Sequence, residues 1–149
     1  MRLLIFCTIL LFVSCNTPKQ IAYLRTGEVN CVKYDVSTIT VNSIGRAADA
    51  STATYFSEKN ALENILFKGI PNCNQQSAMI PNEDNFLEKH KAEYDLFINN
   101  DYVRYVISSD AVNTNNTNGV YIQQREITID IRALRKYMEE KKWIRKFGI

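Results

Sequence analysis

The spacing of apolar residues changes along the chain and separates predicted strands from predicted helices. Residues 37–43 place β-branched side chains at period two, which predicts a strand that Gly45 ends. Across residues 46–68, small and apolar side chains recur every three or four positions, the pattern of a helix with one buried face. Gly69 suits the left-handed position after the last helical turn, and Pro71 prevents the helix from continuing.

The middle of the chain predicts a loop and then a second helix. Residues 72–79 are polar and hold Cys73. A helix is expected over residues 81–99, because Pro81 fits a first helical turn and the acidic Glu83 and Asp84 suit its positive end. Its inner face is predicted to carry four residues at helical spacing: Phe86, His90, Tyr94 and Phe97.

The last third predicts a hairpin and a third helix. A strand over residues 102–108 is expected to pair with residues 120–131 across an Asn-rich tip, residues 113–118, that is predicted to be flexible. Asp130 is placed to cap a helix over residues 131–141. The resulting order, β-α-α-β-β-α, predicts an α/β (α+β) two-layer sandwich with the helices on one face of a small antiparallel or mixed sheet.

The first fifteen positions differ from everything that follows. Arg2 supplies a positive charge, residues 3–13 are almost unbroken hydrocarbon, and Ser14 and Cys15 end the run. This is the layout of an export signal. As a helix the apolar run would reach only about 16 Å, roughly half of the hydrocarbon thickness of a bilayer, so it is too short for a transmembrane anchor.

The end of this segment, residues 11–15, resembles the lipobox of bacterial lipoproteins. The resemblance implies cleavage after Ser14 and acylation of Cys15; Phe12 departs from the Leu that is commonest at its position. Asn16 after the cysteine favours the outer membrane under the sorting rule of enterobacteria. The alternatives are an ordinary secretory signal cleaved nearby and a cysteine present by chance.

The remainder is expected to be one domain on a tether. Residues 15–20 are polar and contain Pro18, residues 21–149 are predicted to form the domain, and residues 21–24 belong either to the tether or to a brief edge strand. The chain has 18 Lys and Arg against 16 Asp and Glu, so loss of Arg2 with the signal leaves 17 against 16. Nucleic-acid binders carry a larger and more clustered basic excess, and none is expected as a partner.

The cysteines sort by position. Cys7 lies in the predicted signal and Cys15 is the predicted lipid acceptor. Cys31 and Cys73 remain as an even pair in an exported chain, where oxidation is allowed. They form either a disulfide or two buried thiols, because free cysteine is also commonly buried.

Catalytic and cofactor sites are not indicated. His90 is the single histidine, and two separated cysteines with one histidine fall short of a zinc site or a Cys-His nucleophile. The lone Gly45 does not make a phosphate-binding loop. The acidic pairs are explained by a helix start and a solvated helix face. We therefore expect no catalytic, metal or cofactor-binding residues and no nucleotide.

Two surface features remain. The Asn-rich tip is either a plain hairpin end or a binding loop. A basic cluster near the carboxyl end is either a contact for anionic lipid, peptidoglycan or an acidic protein, or a solvated helix end followed by an extended tail over residues 143–149. Its members are Lys136, Lys141, Lys142, Arg145 and Lys146, interleaved with Trp143 and Phe147.

Two resemblances follow from these motifs. The strand, Gly45 and the helix through residues 60–62 are similar to the opening of small lipoprotein domains of flagellar outer-membrane ring type. The whole mature chain, with residues 67–71 and 144–148, is similar to uncharacterised lipoproteins of Bacteroidetes. Neither resemblance brings catalytic residues with it. We therefore expect a non-enzymatic envelope lipoprotein, accessory to a larger assembly, that acts by protein–protein contact. The rival expectation is a lipoprotein that captures a small molecule or glycan with exposed aromatic residues: Tyr102, Tyr105 and Tyr121.

Overall fold

A computed structural model describes residues 20–26 and 28–146. Within these residues the chain forms four strands and three α-helices. In chain order they are β1 (Val29–Tyr34), β2 (Thr38–Ala47), α1 (Ala50–Phe67), α2 (Glu83–Leu96), β3 (Val106–Thr117), β4 (Val120–Asp130) and α3 (Ile131–Glu140). The predicted signal (residues 1–14), the lipid acceptor Cys15, most of the tether and Phe147 lie outside the described residues.

The strands form one antiparallel sheet in the order β1-β2-β4-β3. The predicted fold class, helices against a small sheet in a mixed α+β arrangement, is confirmed. Along the two central strands, every second side chain points into the core, as the period of a half-buried strand requires. Four of these side chains are fully buried: Ile39, Val41, Ile127 and Ile129.

The predicted end of the first strand at Gly45 was wrong. β2 continues through Gly45 to Ala47, and α1 begins at Ala50 rather than at residue 46. The glycine does not break the strand; it lets the helix backbone come close, since a Cβ at this position would lie 2.0 Å from the carbonyl oxygen of Ala53. Asp49 then caps α1 by accepting a 2.8 Å hydrogen bond from the amide of Thr52.

The predicted hairpin needs a correction at both its strand and its tip. Residues 102–105 form a 3₁₀ turn, and β3 occupies the Asn-rich segment that was predicted to be flexible. Asn113–Thr117 pairs in register with the start of β4, so its backbone groups are satisfied by the ladder. Asn118 and Gly119 both have positive φ, which a two-residue hairpin turn demands.

The helices α2 and α3 lie where the pattern placed them, with small changes at their ends. A π-helical turn, Phe97–Asp101, follows α2, and Asp130 caps α3 by accepting from the amide of Ala133 at 2.8 Å. The predicted extended tail was wrong for residues 143–144, which bend so that their amides donate to the carbonyl oxygen of Met138. Trp143 is buried because Lys142 takes a positive φ and turns the chain back onto α3.

The residues before β1 do not add a strand. Residues 21–24 have no regular secondary structure and pack beside α1 through Tyr23, whose ring centre lies 5.0 Å from that of Phe56. At the other side of the fold, a disulfide joins Cys31 of β1 to Cys73, with 5.7 Å between the Cα atoms. Within the described residues, none of the helices combines the length and the apolar character needed to cross a bilayer.

Candidate functional site

A depression lies at the end of the sheet where β1 turns into β2. It has a volume of about 910 Å³ and is lined by Tyr34, residues 73–79, Pro81, Arg135 and residues 143–145. We call it the 73–79 groove. Its walls come from three parts of the chain: the edge strand β1, the loop between α1 and α2, and the carboxyl-terminal helix with its extension.

The floor and the rim of the 73–79 groove differ in chemistry. Buried Cys73, Met79 and Trp143 form an apolar floor. The rim carries the half-exposed ring of Tyr34 and the guanidinium groups of two arginines, and none of the described lining residues bears a carboxylate. Val36, which is 83% exposed, stands in the adjacent β1–β2 turn. The groove thus combines an apolar base, an accessible aromatic ring and positive charge.

The loop wall of the groove is tightly held. The amide of Ile70 donates to the carbonyl oxygen of Gln75 at 2.7 Å, and that of Ile80 donates to Leu66 at 2.8 Å. Gly69 takes a φ of +84°, and a Cβ there would lie 2.2 Å from the carbonyl oxygen of Gln76. Together with the disulfide at Cys73, these contacts hold the loop in place within the protein itself.

The polar groups of the groove are oriented by one another. Arg135 donates a 2.8 Å hydrogen bond to the side-chain oxygen of the buried Gln75, whose own amide donates to the carbonyl oxygen of Ser77. Asn74 donates to the carbonyl oxygen of Asp35 and so connects the loop to the β1–β2 turn. A guanidinium oriented in this way favours binding of carboxylate oxygens.

His90 belongs to an aromatic cluster beside the groove floor. Its ring centre lies 5.3 Å from that of Phe86 and 6.3 Å from that of Trp143, and its Nδ1 lies 3.9 Å from a carboxylate oxygen of Glu93. The indole of Trp143 donates to the same carboxylate at 3.1 Å. Cys31 and Cys73 are joined in a disulfide, so neither of them offers a thiolate that could act with the imidazole of His90.

A buried polar network along α1 was not predicted from the sequence. Glu63 accepts hydrogen bonds from the hydroxyls of Tyr23 at 2.7 Å and Tyr94 at 2.9 Å. Burial, and then the neighbouring Glu63, raise the pKa of both tyrosines far above the ordinary value. Asn60 and Asn64 extend the network towards Thr26. The signal for this network in the sequence was the set of polar residues Asn60, Glu63 and Asn64, which are spaced by three and four positions within an otherwise apolar helix.

The three tyrosines proposed as an exposed ligand-binding set do not form one. Tyr102 is buried, and its hydroxyl donates to Glu58 at 2.7 Å. Tyr105 packs between Phe97 and Tyr137. Tyr121 lies opposite Ala47, at the far end of the sheet from the 73–79 groove.

Three members of the predicted basic cluster have contacts that the structure describes. Lys136 lies 3.9 Å from the carboxylate of Glu140, and Lys141 stands over the ring of Tyr137. Arg145 lines the groove.

Within the described residues, no three His, Cys, Asp or Glu side chains are grouped so as to hold a metal ion. Comparison of the chain with models of protein families, with curated proteins and with solved structures gives no match.

Proposed function

We propose that the protein is a non-enzymatic lipoprotein of the bacterial envelope, anchored in the outer membrane by acylated Cys15, that binds a partner protein in the 73–79 groove as an accessory part of an assembly. The lipobox-like residues 11–15 support the anchor. The groove supports the contact, because the exposed ring of Tyr34 and several oriented polar groups surround its buried apolar floor. Its composition carries this proposal.

That composition is the one enriched at the centres of protein interfaces. Tyrosine, tryptophan, arginine and methionine are enriched at protein interfaces, where acidic residues are depleted, and the first three of them dominate the hot spots. The groove offers Tyr34, Arg135 and Arg145 around buried Met79 and Trp143. Its loop wall is already ordered, so binding loses little conformational entropy.

The free edges of the sheet suit a partner less well. β3 is interrupted by bulges at Ile107 and Val112, and β1 by a bulge at Val32. Each bulge twists the edge and breaks the regular row of backbone groups with which an added strand would pair. Strand addition is therefore disfavoured at both edges.

Photocrosslinking in cells tests the contact. A photoreactive amino acid at Gln76, an exposed residue of the groove wall, is expected to capture a defined protein, whereas the same group at the exposed Asn115 on β3 is the matched control. Arg145→Glu should reduce capture from position 76 because it reverses a charge of the rim. Identical adducts from positions 76 and 115, or none from position 76 in a membrane-bound protein, would contradict a groove contact.

The anchor has its own test. Cys15→Ser should abolish labelling by a fatty-acid analogue and release the protein from membranes. Cys7→Ser, a change within the predicted signal, should leave both unchanged. Persistent acyl labelling of the Cys15→Ser protein would show that the lipid acceptor lies elsewhere.

A second candidate function is capture of a small molecule or glycan in the same groove. The volume of about 910 Å³ and the oriented side chains of Asn74, Gln75 and Arg135 favour it. Cell-wall fragments added to the purified protein should then raise its unfolding temperature, and Arg145→Ala should weaken the shift. No shift with any fragment, alongside specific protein capture, would decide for the protein partner.

A further inference from the structure

The 73–79 groove and the amino-terminal segment lie at opposite ends of the sheet. The groove end is marked by the β1–β2 turn, where Asn74 contacts Asp35. At the other end, Gln20 and its neighbours share a cleft of about 520 Å³ with Ala47, the last residue of β2, and the two residues that follow it. β2 has 10 residues, so the two ends are about 30 Å apart.

The tip of the β3–β4 hairpin lies at the same end as Gln20. Tyr121 pairs with Ala47, so the turn at Asn118 and Gly119 extends past the end of β2. The chain carries no charged residue between Asp110 and Arg125. This hairpin arm, residues 111–124, presents mainly Asn and Thr side chains to solvent, with exposed Val112 among them.

The length of chain between Cys15 and Gln20 limits how far the hairpin end of the domain can lie from a lipid on Cys15. Cys15 and Gln20 are five residues apart in sequence, and five residues span at most about 18 Å in any conformation. A lipid on Cys15 would therefore keep the hairpin end of the domain close to the bilayer. The groove end lies farther from the point of attachment by the length of the sheet.

We propose that the uncharged hairpin arm, residues 111–124, rests on the phospholipid headgroups and holds the sheet upright, with the 73–79 groove facing away from the membrane. This orientation depends on the proposed lipid anchor at Cys15. Charged groups lose hydration at a bilayer surface, and the arm has none to lose. Asn and Thr side chains can hydrogen-bond to headgroup oxygens, and Tyr121 suits the interface.

Among the described residues at this end, Arg46, Glu28 and Asp49 have partners within the protein. Arg46 forms an ion pair with Glu28 at 3.5 Å, and Asp49 accepts from Ser51 and Thr52 at the start of α1. The opposite end of the molecule carries Arg135 and Arg145. A membrane contact through those arginines would require the reverse orientation, and it is the competing outcome of the test.

Quenching by headgroup-labelled lipid distinguishes the two orientations. The acylated full-length protein is placed in vesicles of phosphatidylethanolamine and phosphatidylglycerol, with a fluorophore on an introduced cysteine at Asn116→Cys or Val36→Cys. The disulfide and the acyl group occupy the other cysteines of the mature chain. A spin label on the headgroup should quench the Asn116 position several-fold more than the Val36 position. Equal quenching, or stronger quenching at Val36, would overturn the orientation.

A charge variant tests the chemistry of the arm. With the fluorophore at Thr117→Cys, Asn113→Asp together with Asn115→Asp should reduce quenching in the anionic vesicles, and unchanged quenching would count against headgroup contact.

Flotation with vesicles separates the two proposals. If the protein neither carries the acyl label nor floats, the proposed lipid anchor is rejected. If it floats but is quenched equally at both ends, only the proposed orientation is rejected.

Discussion

The hydroxyl of Tyr23 donates a 2.7 Å hydrogen bond to the carboxylate of Glu63, across a separation of 40 residues. Tyr94 of α2 donates to the same carboxylate at 2.9 Å. One buried acceptor on α1 therefore ties the amino-terminal segment and the second helix to the first. Such a carboxylate is stable in the interior only while its oxygens stay hydrogen-bonded.

Tyr94→Phe is expected to lower the free energy of unfolding by about 1.5–3 kcal/mol, because it removes a buried hydrogen bond to a charged group. Tyr34→Phe is the matched control, since Tyr34 is 55% exposed. Urea denaturation of the two variants measures the difference. Equal stabilities would show that Glu63 does not depend on the Tyr94 hydroxyl.

Gly45→Ala should destabilise the domain by about 3 kcal/mol, because the added methyl group has no room between β2 and α1. The Cβ would lie 2.0 Å from the oxygen of Ala53 and 2.4 Å from the amide nitrogen of Ser57. Gly119→Ala meets no atom within 4 Å and should lose only about 1 kcal/mol through its positive φ. Thermal unfolding ranks the two, and a larger loss at Gly119 would refute the close helix–strand approach.

Reduction of the Cys31–Cys73 disulfide should lower stability by about 4 kcal/mol, the chain-entropy value for cysteines 42 residues apart. The double variant Cys31→Ser with Cys73→Ser should show the same loss without reductant. Mass spectrometry of the exported protein checks the bond directly. Alkylation of both cysteines before reduction would instead establish the two buried thiols that the sequence left open.

Acid should remove part of the stability through Asp35. The amides of Ser37 and Thr38 donate to its carboxylate at 2.6 and 2.7 Å and hold its pKa at about 2, against 3.8 in the unfolded chain. A pKa lowered on folding stabilises the protein above the unfolded value and ceases to do so as the pH falls through about 2. Asp35→Asn should therefore be less stable than the wild type at pH 7, with a gap that shrinks between pH 4 and 2.

Unfolding curves at several pH values test this dependence, and Asp49 offers a second site. Its pKa is also held at about 2, first by the hydroxyl of Ser51 and then by the amide of Thr52. Asp49→Asn should reproduce the narrowing gap at the start of α1. A gap that stays constant down to pH 2 would contradict a role for either ionised carboxylate.

Local signals predicted elements better than they predicted what those elements contact. The stop at Gly69 and Pro71 and the cap at Asp130 depend on near neighbours in sequence, and both features lie where they were expected. The prediction at Gly45 was wrong because the sequence does not distinguish a glycine that ends a strand from one that lets a helix pack closely against the strand. Only the packed position of α1 makes that distinction. The Asn-rich arm was misread because its hydrogen-bond partners come from β4.

The candidate groove was not visible in the sequence for the same reason. Tyr34, Arg135 and Trp143 carry no shared motif, and only the packing of β1 and α3 against the loop brings them to one rim. The polar loop and its cysteine were recognised, but its ordered geometry depends on Gln75, which contacts Arg135 at a separation of 60 residues.

The sequence by itself determined the α+β class and the main helices and strands, because hydrophobic period, caps and turn residues act over a few positions. It also holds the lipobox-like end at Cys15, which remains a prediction. Tertiary structure alone decided the buried partners of Glu63, the walls of the 73–79 groove and its place opposite Gln20. These features depend on contacts between residues far apart in sequence, and such contacts exist only when the sheet and helices pack.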